Sequence, residues 1–362
     1  MTTAPEATPT LKDHYEHDIL VVGEDDPNVL TFSYAVPFTL SRMCRNQCPY
    51  CSFRKRDTLT VPYSTIRTAK KVRQLGVREA LYVGGERPDK FSQVRSVLDL
   101  WGFSSYLDYV YTICELGFLE GLIPVIEGGF FSPTELKKLS EVCAISRVML
   151  DSVDANLQDT IYPQSPGKKL ELRLKLLEWQ GRLKFPTATG IMVGIGASKP
   201  HRRDLLHEIA KVHTTYGTIH EVTIQNLMPE ANTPWAGKHT PSKKEMIDAV
   251  EMALEILPAD ISVNIPLDLN PDIEDFVKAG IRDLGRIYEG KSPYYKGTPV
   301  DFDQLDERLF AMGYELQQRF PLKKSFIKNG LYSKKLGQVF DAYRYRIKKD
   351  GSDGRAKEGK HF

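Results

Sequence analysis

Between Thr31 and about residue 290, short runs rich in β-branched and aromatic residues alternate with longer stretches whose apolar positions recur at helical spacing. The runs predict strands over residues 31–39, 79–83, 122–126, 147–150, 185–193, 221–225, 261–265 and 281–287. The stretches between them predict helices over 64–75, 104–116, 133–142, 169–180, 202–216, 242–257 and 272–279. The first of these carries Ile66, Ala69, Val72 and Leu75 at helical spacing and meets a natural stop at Gly76. Before the helix at 242–257, either Thr240 ahead of Pro241 or Ser242 with Glu245 offers a cap. Strands that alternate with helices imply a parallel sheet. Seven or eight such units imply an α/β fold closed into a (β/α) TIM-type barrel, full or partial. An open doubly wound sheet is the competing arrangement, weakened by the lack of a Rossmann glycine fingerprint or phosphate loop.

The same pattern divides the chain. Residues 1–28 are polar and Pro/Thr-rich and read as a flexible arm, 29–300 as the barrel, and 301–348 as a small helical C-terminal extension. Residues 349–362 read as a disordered tail. The 49 basic and 47 acidic residues nearly balance, which argues against a global nucleic-acid-binding surface. Tyr343 to Lys349 interleave aromatic and basic residues as single-strand binders do, but a surface helix is the commoner reading. No apolar run is long enough to span a bilayer, and no secretory leader is evident, so a cytoplasmic, reducing location is expected. Five cysteines, three of them within 44–51, make a poor disulfide framework and a good cluster pattern.

The segment FTLSRMCRNQCPYCSFRK sets Cys44, Cys48 and Cys51 in C-x3-C-x2-C spacing directly after the first predicted strand. Barrels of this type keep their active sites at that end of the strands. Three thiolates so close can ligate three irons of one 4Fe–4S cluster and leave the fourth iron open, as a catalytic metal site requires. A zinc site would need a fourth ligand from a distant His or Cys, and a bacterial ferredoxin run would continue to a fourth Cys before Pro. The spacing is identified as that of the radical S-adenosylmethionine (SAM) superfamily. That resemblance implies that Cys44, Cys48 and Cys51 are both the metal ligands and the catalytic centre. It also implies that SAM chelates the open iron and is cleaved to a 5′-deoxyadenosyl radical. Tyr50 stands where such motifs carry an aromatic residue and is expected to pack the adenine side of SAM. Cys114 and Cys143, in predicted helices, read as buried inert thiols.

Further candidates sit at predicted strand ends. Gly84-Gly85-Glu86 closes the second strand and resembles the superfamily's GGE motif, with glycines for close approach and a carboxylate to accept from the SAM ammonium. Glu127 and Asp151 end the third and fourth strands, positions suited to ribose hydroxyls or substrate, or simply to a solvated rim. Gly194 belongs to a glycine-spaced end of the fifth strand, expected to approach adenosine. Gln225 and Asn226 end the sixth and are both expected to turn toward substrate.

Taken together, CRNQCPYCSFRK, FPTATGIMVGIGASKPHRRDLL, YGTIHEVTIQNLMPEANTPWAG and ISVNIPLDLNPDIEDFVKAGIRDLG resemble the CofG-type subunit of deazaflavin-forming radical SAM enzymes, over about residues 36–287. The resemblance implies a barrel of the radical SAM type. It also implies a small-molecule substrate, an adduct of a tyrosine-derived fragment with 5-amino-6-ribitylaminouracil, supplied by a CofH-type partner enzyme, and an electron donor. The chain departs from the family's usual wording at Gly85-Glu86-Arg87-Pro88, at Asn264-Ile265-Pro266-Leu267-Asp268-Leu269 and at Arg282-Asp283-Leu284-Gly285-Arg286. The last two segments are expected at the substrate, where a new carboxylate and two guanidinium groups would change recognition. A related enzyme acting on a different aromatic or tyrosine-derived substrate is therefore the alternative. Replacing any one of Cys44, Cys48 or Cys51 by Ala is expected to abolish SAM cleavage, measured as 5′-deoxyadenosine release from the reconstituted protein. An intact rate would remove the cluster assignment.

Overall fold

The protein is described from a computed structural model covering residues 26–294, 297 and 299–349, with the backbone alone over 342–349. The strands are β1 Val29–Ser41, β2 Glu79–Gly84, β3 Ile123–Glu127, β4 Ile145–Arg147, β5 Thr187–Val193, β6 Ile219–Asn226, β7 Ser262–Asn264, β8 Asp283–Tyr288 and β9 Glu315–Gln318. The first helices are α1 Pro62–Arg73, α2 Ser92–Leu100, α3 Tyr106–Leu119, α4 Pro133–Leu139, α5 Gln158–Ile161 and α6 Leu170–Arg182. They are followed by α7 Lys199–Tyr216, α8 Lys243–Ile256, α9 Ile273–Lys278, α10 Phe302–Ala311, α11 Lys324–Lys328 and α12 Lys334–Lys349.

Side chains alternate across each strand, and the two sets have different fates. In β1, Leu30, Phe32, Tyr34, Val36, Phe38 and Leu40 face outward into the apolar layer shared with the helices. In β2 the outward set is Ala80 and Tyr82, while Leu81 and Val83 join an interior cluster. With both faces covered, the strands lie parallel in the order β7-β6-β5-β4-β3-β2-β1-β8. The ends of that path meet: a Cβ at Gly285 of β8 would lie 3.0 Å from the Asn264 amide of β7. The result is the nearly closed barrel that the alternation predicts. The helix at 243–256 starts on Ser242, whose capping box with Glu245 settles the choice against Thr240.

Two expectations are corrected. The ladder of β4 stops at Arg147 rather than starting there. Val148 and Leu150 still donate to the Ala188 and Gly190 carbonyls, so the run continues as a one-sided extension. The segment after residue 300 is not simply a helical extension. β9 pairs parallel with the lower half of β1, Val29 against Glu315 through Phe32 against Gln318. β2 pairs with the upper half, Ala35 to Ser41. Leaving β9, the chain crosses the N-terminal opening of the barrel, where Phe320, Leu322, Phe326 and Phe340 join Leu81, Val125 and Ile145 in one cluster. The barrel is therefore plugged from below by its own C-terminal segment. The arm, apart from residues 26–28, and the tail from residue 350 lie outside the described residues, as do the side chains of Tyr343 to Lys349. Among the described residues no helix is long and apolar enough to cross a membrane.

A layer of charge lies just above the plug. Arg319, the first residue past β9 and 1% exposed, pairs through Nε with Asp283 Oδ2 at 2.7 Å and through Nη2 with Glu221 Oε2 at 3.1 Å. Arg286 pairs with both Glu79 and Glu221, and the Ser33 hydroxyl donates to Glu79 at 2.5 Å. Burial alone would raise the Glu221 carboxyl, but Arg286, His220 and Arg319 outweigh it and hold the group well below the usual carboxylate range. Removing one member of such a network leaves the others charged and dry. Arg319→Ala is expected to lower stability by about 3–5 kcal/mol, read as the chemical denaturation midpoint. An unchanged midpoint would mean that β9 and the plug are peripheral.

Candidate active site

Because the barrel strands run parallel, their C-terminal ends share one rim, and a cavity of about 190 Å³ opens there. The loop leaving β1 brings Cys44, Cys48 and Cys51 to its wall, each half-buried. The Glu86 amide donates to Cys44 Sγ at 3.2 Å, and Cys48 Sγ lies 3.7 Å from Ser165 Oγ. Burial pushes the Cys44 thiol up to about 11 and raises that of Cys51, so iron binding here would displace protons. Among the described residues, no three His, Cys, Asp or Glu side chains converge on a single ion position. Three thiols on the wall of one cavity are the donor set of a polynuclear cluster, in which each ligates its own iron. The three cysteines fit that group.

What fastens this loop to the barrel is Glu86. Its carboxylate takes Arg45 Nε at 2.8 Å and Arg173 Nη2 at 2.8 Å, with 2% of the side chain exposed. Its carbonyl accepts from the Arg45 amide at 2.9 Å. Glycines make the room: a Cβ at Gly85 would collide with the Met43 carbonyl, and one at Gly167 with the Glu86 carboxylate. A second fastening comes from the segment before α6. The Gly167 amide donates to Asn46 Oδ1 at 2.9 Å, and the Gln47 amide bonds the Gln164 carbonyl at 3.1 Å. Burial would raise the Glu86 carboxyl, yet Arg173, Arg45 and Lys168 together hold it below its ordinary value. Each carboxylate oxygen thus already accepts from one arginine within the protein, and Glu86 also lines the cavity where the sequence expects it to meet the SAM ammonium.

Several other expected residues meet at the cavity. Gly84, Gly85, Tyr50, Glu127, Asp151 and Gln225 all line it. The Tyr50 ring packs edge-on to Tyr162 at 6.2 Å and beside Trp235 at 5.8 Å, with its hydroxyl 3.0 Å from that of Tyr162. Glu127 accepts from the Tyr294 hydroxyl and pairs with Arg147 Nη1 at 3.4 Å. Asp151, at a left-handed φ of 32°, pairs with Lys168 Nζ at 2.6 Å. Asn226 and Gly194 are not on the wall. Successive strand residues face opposite ways, so with Gln225 turned inward Asn226 turns out, where it accepts from Asn270 at 3.1 Å. Gly194, at φ 97°, packs instead against Leu227 and Pro241.

Arg282 is likewise displaced from the expected substrate end. It stands just before β8, at the lower rim, where it donates to the Val277 and Ile281 carbonyls and stacks 5.1 Å from the Tyr314 ring centroid. Arg286 belongs to the interior charge layer, while Asn264 and Asp268 line a smaller neighbouring cavity. The site also contains residues not foreseen: Arg147, Lys168, Arg173, Met149, Met192 and Tyr294. A charged residue inside the β-rich run of β4 was a usable signal for Arg147. Lys168 and Arg173 arrive from the connection after β4 and carry no local signal.

No family model matches the chain. Among curated proteins, it is 33% identical over 322 residues to the 7,8-didemethyl-8-hydroxy-5-deazariboflavin synthase of Archaeoglobus fulgidus, covering 87% of this chain and 97% of that one. It is 35% identical over 320 residues to the synthase of the same name from Methanococcoides burtonii, covering 87% and 96%. Among solved structures, methylornithine synthase superposes with a TM-score of 0.63 at 16% identity over 88% of each chain. The FeFe-hydrogenase maturase HydG of Carboxydothermus hydrogenoformans gives 0.64 at 16% identity, over 90% of this chain and 76% of that one. These structures share the barrel fold.

Glu86→Gln is expected to cost about 3–5 kcal/mol of stability and to lower the iron retained after reconstitution, measured by denaturation and by iron content per chain. Undiminished values would show that the loop is held by its other contacts. The contribution of this ion pair is complete above the ordinary carboxylate value of 4.5 and is lost as pH falls through the lower folded-state value.

Proposed function

The chain belongs to the 7,8-didemethyl-8-hydroxy-5-deazariboflavin synthase family, and on that premise we propose that it is a radical SAM enzyme forming the deazaflavin chromophore from a tyrosine–ribitylaminouracil adduct. The observation that carries the reading is that Cys44, Cys48 and Cys51 share the wall of one rim cavity, in a chain matching its relatives almost end to end. We assign Cys44, Cys48 and Cys51 to the cluster. A 4Fe–4S cluster held by these three cysteines would supply the electron for reductive cleavage of SAM and so the radical chemistry of the reaction.

The chain's own residues orient and enclose the reactants. Tyr50 with Tyr162 and Trp235 forms an aromatic wall beside Cys48 suited to a purine face. Asp151, whose Oδ1 has no protein partner, is suited to a ribose hydroxyl, and Gly84 and Gly85 admit close approach. Met149 and Met192 line the cavity with apolar surface that excludes water from the reacting atoms. The Tyr294 hydroxyl holds a proton against Glu127, and Arg147 balances that carboxylate beside the substrate. The same reading includes a CofH-type enzyme upstream, a separate electron donor and a cytoplasmic location.

A second reading keeps the radical chemistry and changes the substrate. Asp268, which stands where the family usually has Asn, lines the smaller neighbouring cavity and favours it. An anaerobic assay of the reconstituted protein with SAM, reductant and the adduct decides between them. Deazaflavin fluorescence appearing with 5′-deoxyadenosine is the expected result. Deoxyadenosine without deazaflavin would move the substrate to the second reading, and neither product would overturn both.

A further inference from the structure

Beside the rim cavity lies a smaller one of about 30 Å³. It shares Arg147, Gln225 and Tyr294 with the upper cavity and reaches Thr223, Asn264 and Arg286. Its lining runs from Thr223 within β6 to Asp268 beyond the end of β7 and Tyr294 beyond the end of β8, so the chamber adjoins the upper end of the barrel on its β6–β8 side. It is small, but large enough for the end of a ring or an amide.

Three of its lining side chains carry buried donor atoms with no protein partner: Arg147 Nε, Asn264 Nδ2 and Arg286 Nη2. The residues are 6%, 2% and 9% exposed. Their other polar atoms are committed. Arg147 Nη2 donates to Thr223 Oγ1 at 3.3 Å, so the Thr223 proton goes to Asn264 Oδ1 at 2.8 Å. That relay fixes the amide orientation and leaves Nδ2 as an outgoing donor. Arg286 spends Nε on Glu79 and Nη1 on Glu221, which leaves Nη2. Buried donors without an acceptor are costly, so three around one chamber point to a missing acceptor.

The charge balance says which kind. Arg147 is already paired with Glu127, and Arg286 with both Glu79 and Glu221. An anion entering here would meet donors but no surplus of positive charge. A neutral oxygen meets the donors without that repulsion.

We propose that this chamber is a specificity subsite that takes a neutral carbonyl of the substrate's ring, a ureide or amide oxygen, held by Asn264 Nδ2, Arg147 Nε and Arg286 Nη2. The proposal rests on the reading of the rim cavity as the substrate site. It makes Asn264 the discriminating residue, since its amide is the one donor not anchored by an ion pair. An Asp in its place would keep the bond from Thr223 and present an oxygen to the carbonyl instead of a donor.

The test is calorimetric titration of the reconstituted, SAM-loaded, unreduced protein with 5-amino-6-ribitylaminouracil, which carries the neutral ring without the chance of turnover. Wild type is expected to bind. Asn264→Asp is expected to bind at least about tenfold more weakly, and Asn264→Ala, which leaves room for a water, to fall between them. Equal affinity in all three, or no binding by wild type, would overturn the subsite. The outcome separates from that of the deazaflavin assay. If wild type makes deazaflavin while Asn264→Asp binds equally well, only the subsite falls. If it makes none while the ring binds in an Asn264-dependent way, the reaction falls and the subsite stands.

Discussion

A single buried carboxylate, Glu86, fixes where the cysteines stand. The loop carrying them leaves β1 at Ser41 and has little ladder of its own beyond the bridge from Ser41 to Leu59. Such a loop would sample many arrangements, and a cluster needs its thiolates held at fixed separations. Glu86 supplies that restraint through backbone and side chain together. Its amide reaches Cys44, its carbonyl Arg45, and its carboxylate spans from Arg45 in the loop to Arg173 on α6. The glycines around it exist for the same reason, because any side chain at Gly85 or Gly167 would occupy space that the loop or the carboxylate needs.

The barrel interior is graded from one end to the other. At the bottom, Phe320, Leu322 and Phe326 seal the opening that the parallel strands leave. Above them Glu79, Glu221, Asp283, Arg286 and Arg319 form a paired charge layer, and above that the Arg147–Thr223–Asn264 relay leads into the cavity beside the cysteines. Each layer sets the geometry of the next. Arg286 stands in two of them, with two nitrogens committed to Glu79 and Glu221 and the third without a protein partner. The rigid lower layers matter for radical chemistry because a reactive species must meet one hydrogen and no other, which demands a substrate that does not shift.

The features legible in the sequence were those whose cause is local. The cysteine spacing is such a feature, as are the alternating runs that became β1, β2, β3 and β5 to β8. β9 was not legible: Glu-Leu-Gln-Gln has no β-branched residue, and only the free lower half of β1 makes it a strand. The roles of Lys168 and Arg173 depend on a connection folding back over the loop, a long-range event with no periodic trace. For Glu86 the sequence showed the motif and not the partners, because its two arginines stand 41 residues before it and 87 after. The pair Gln225 and Asn226 could have been resolved from strand alternation alone, since neighbours on a strand cannot both face the lumen.

The central claim is that the three thiolates hold a cluster with one iron open toward the cavity. Electron paramagnetic resonance of the reconstituted, reduced protein, recorded with and without saturating SAM, tests it most directly. SAM is expected to change the cluster signal, as it would by binding an iron that no cysteine ligates. An identical spectrum, with SAM shown to be bound, would contradict it.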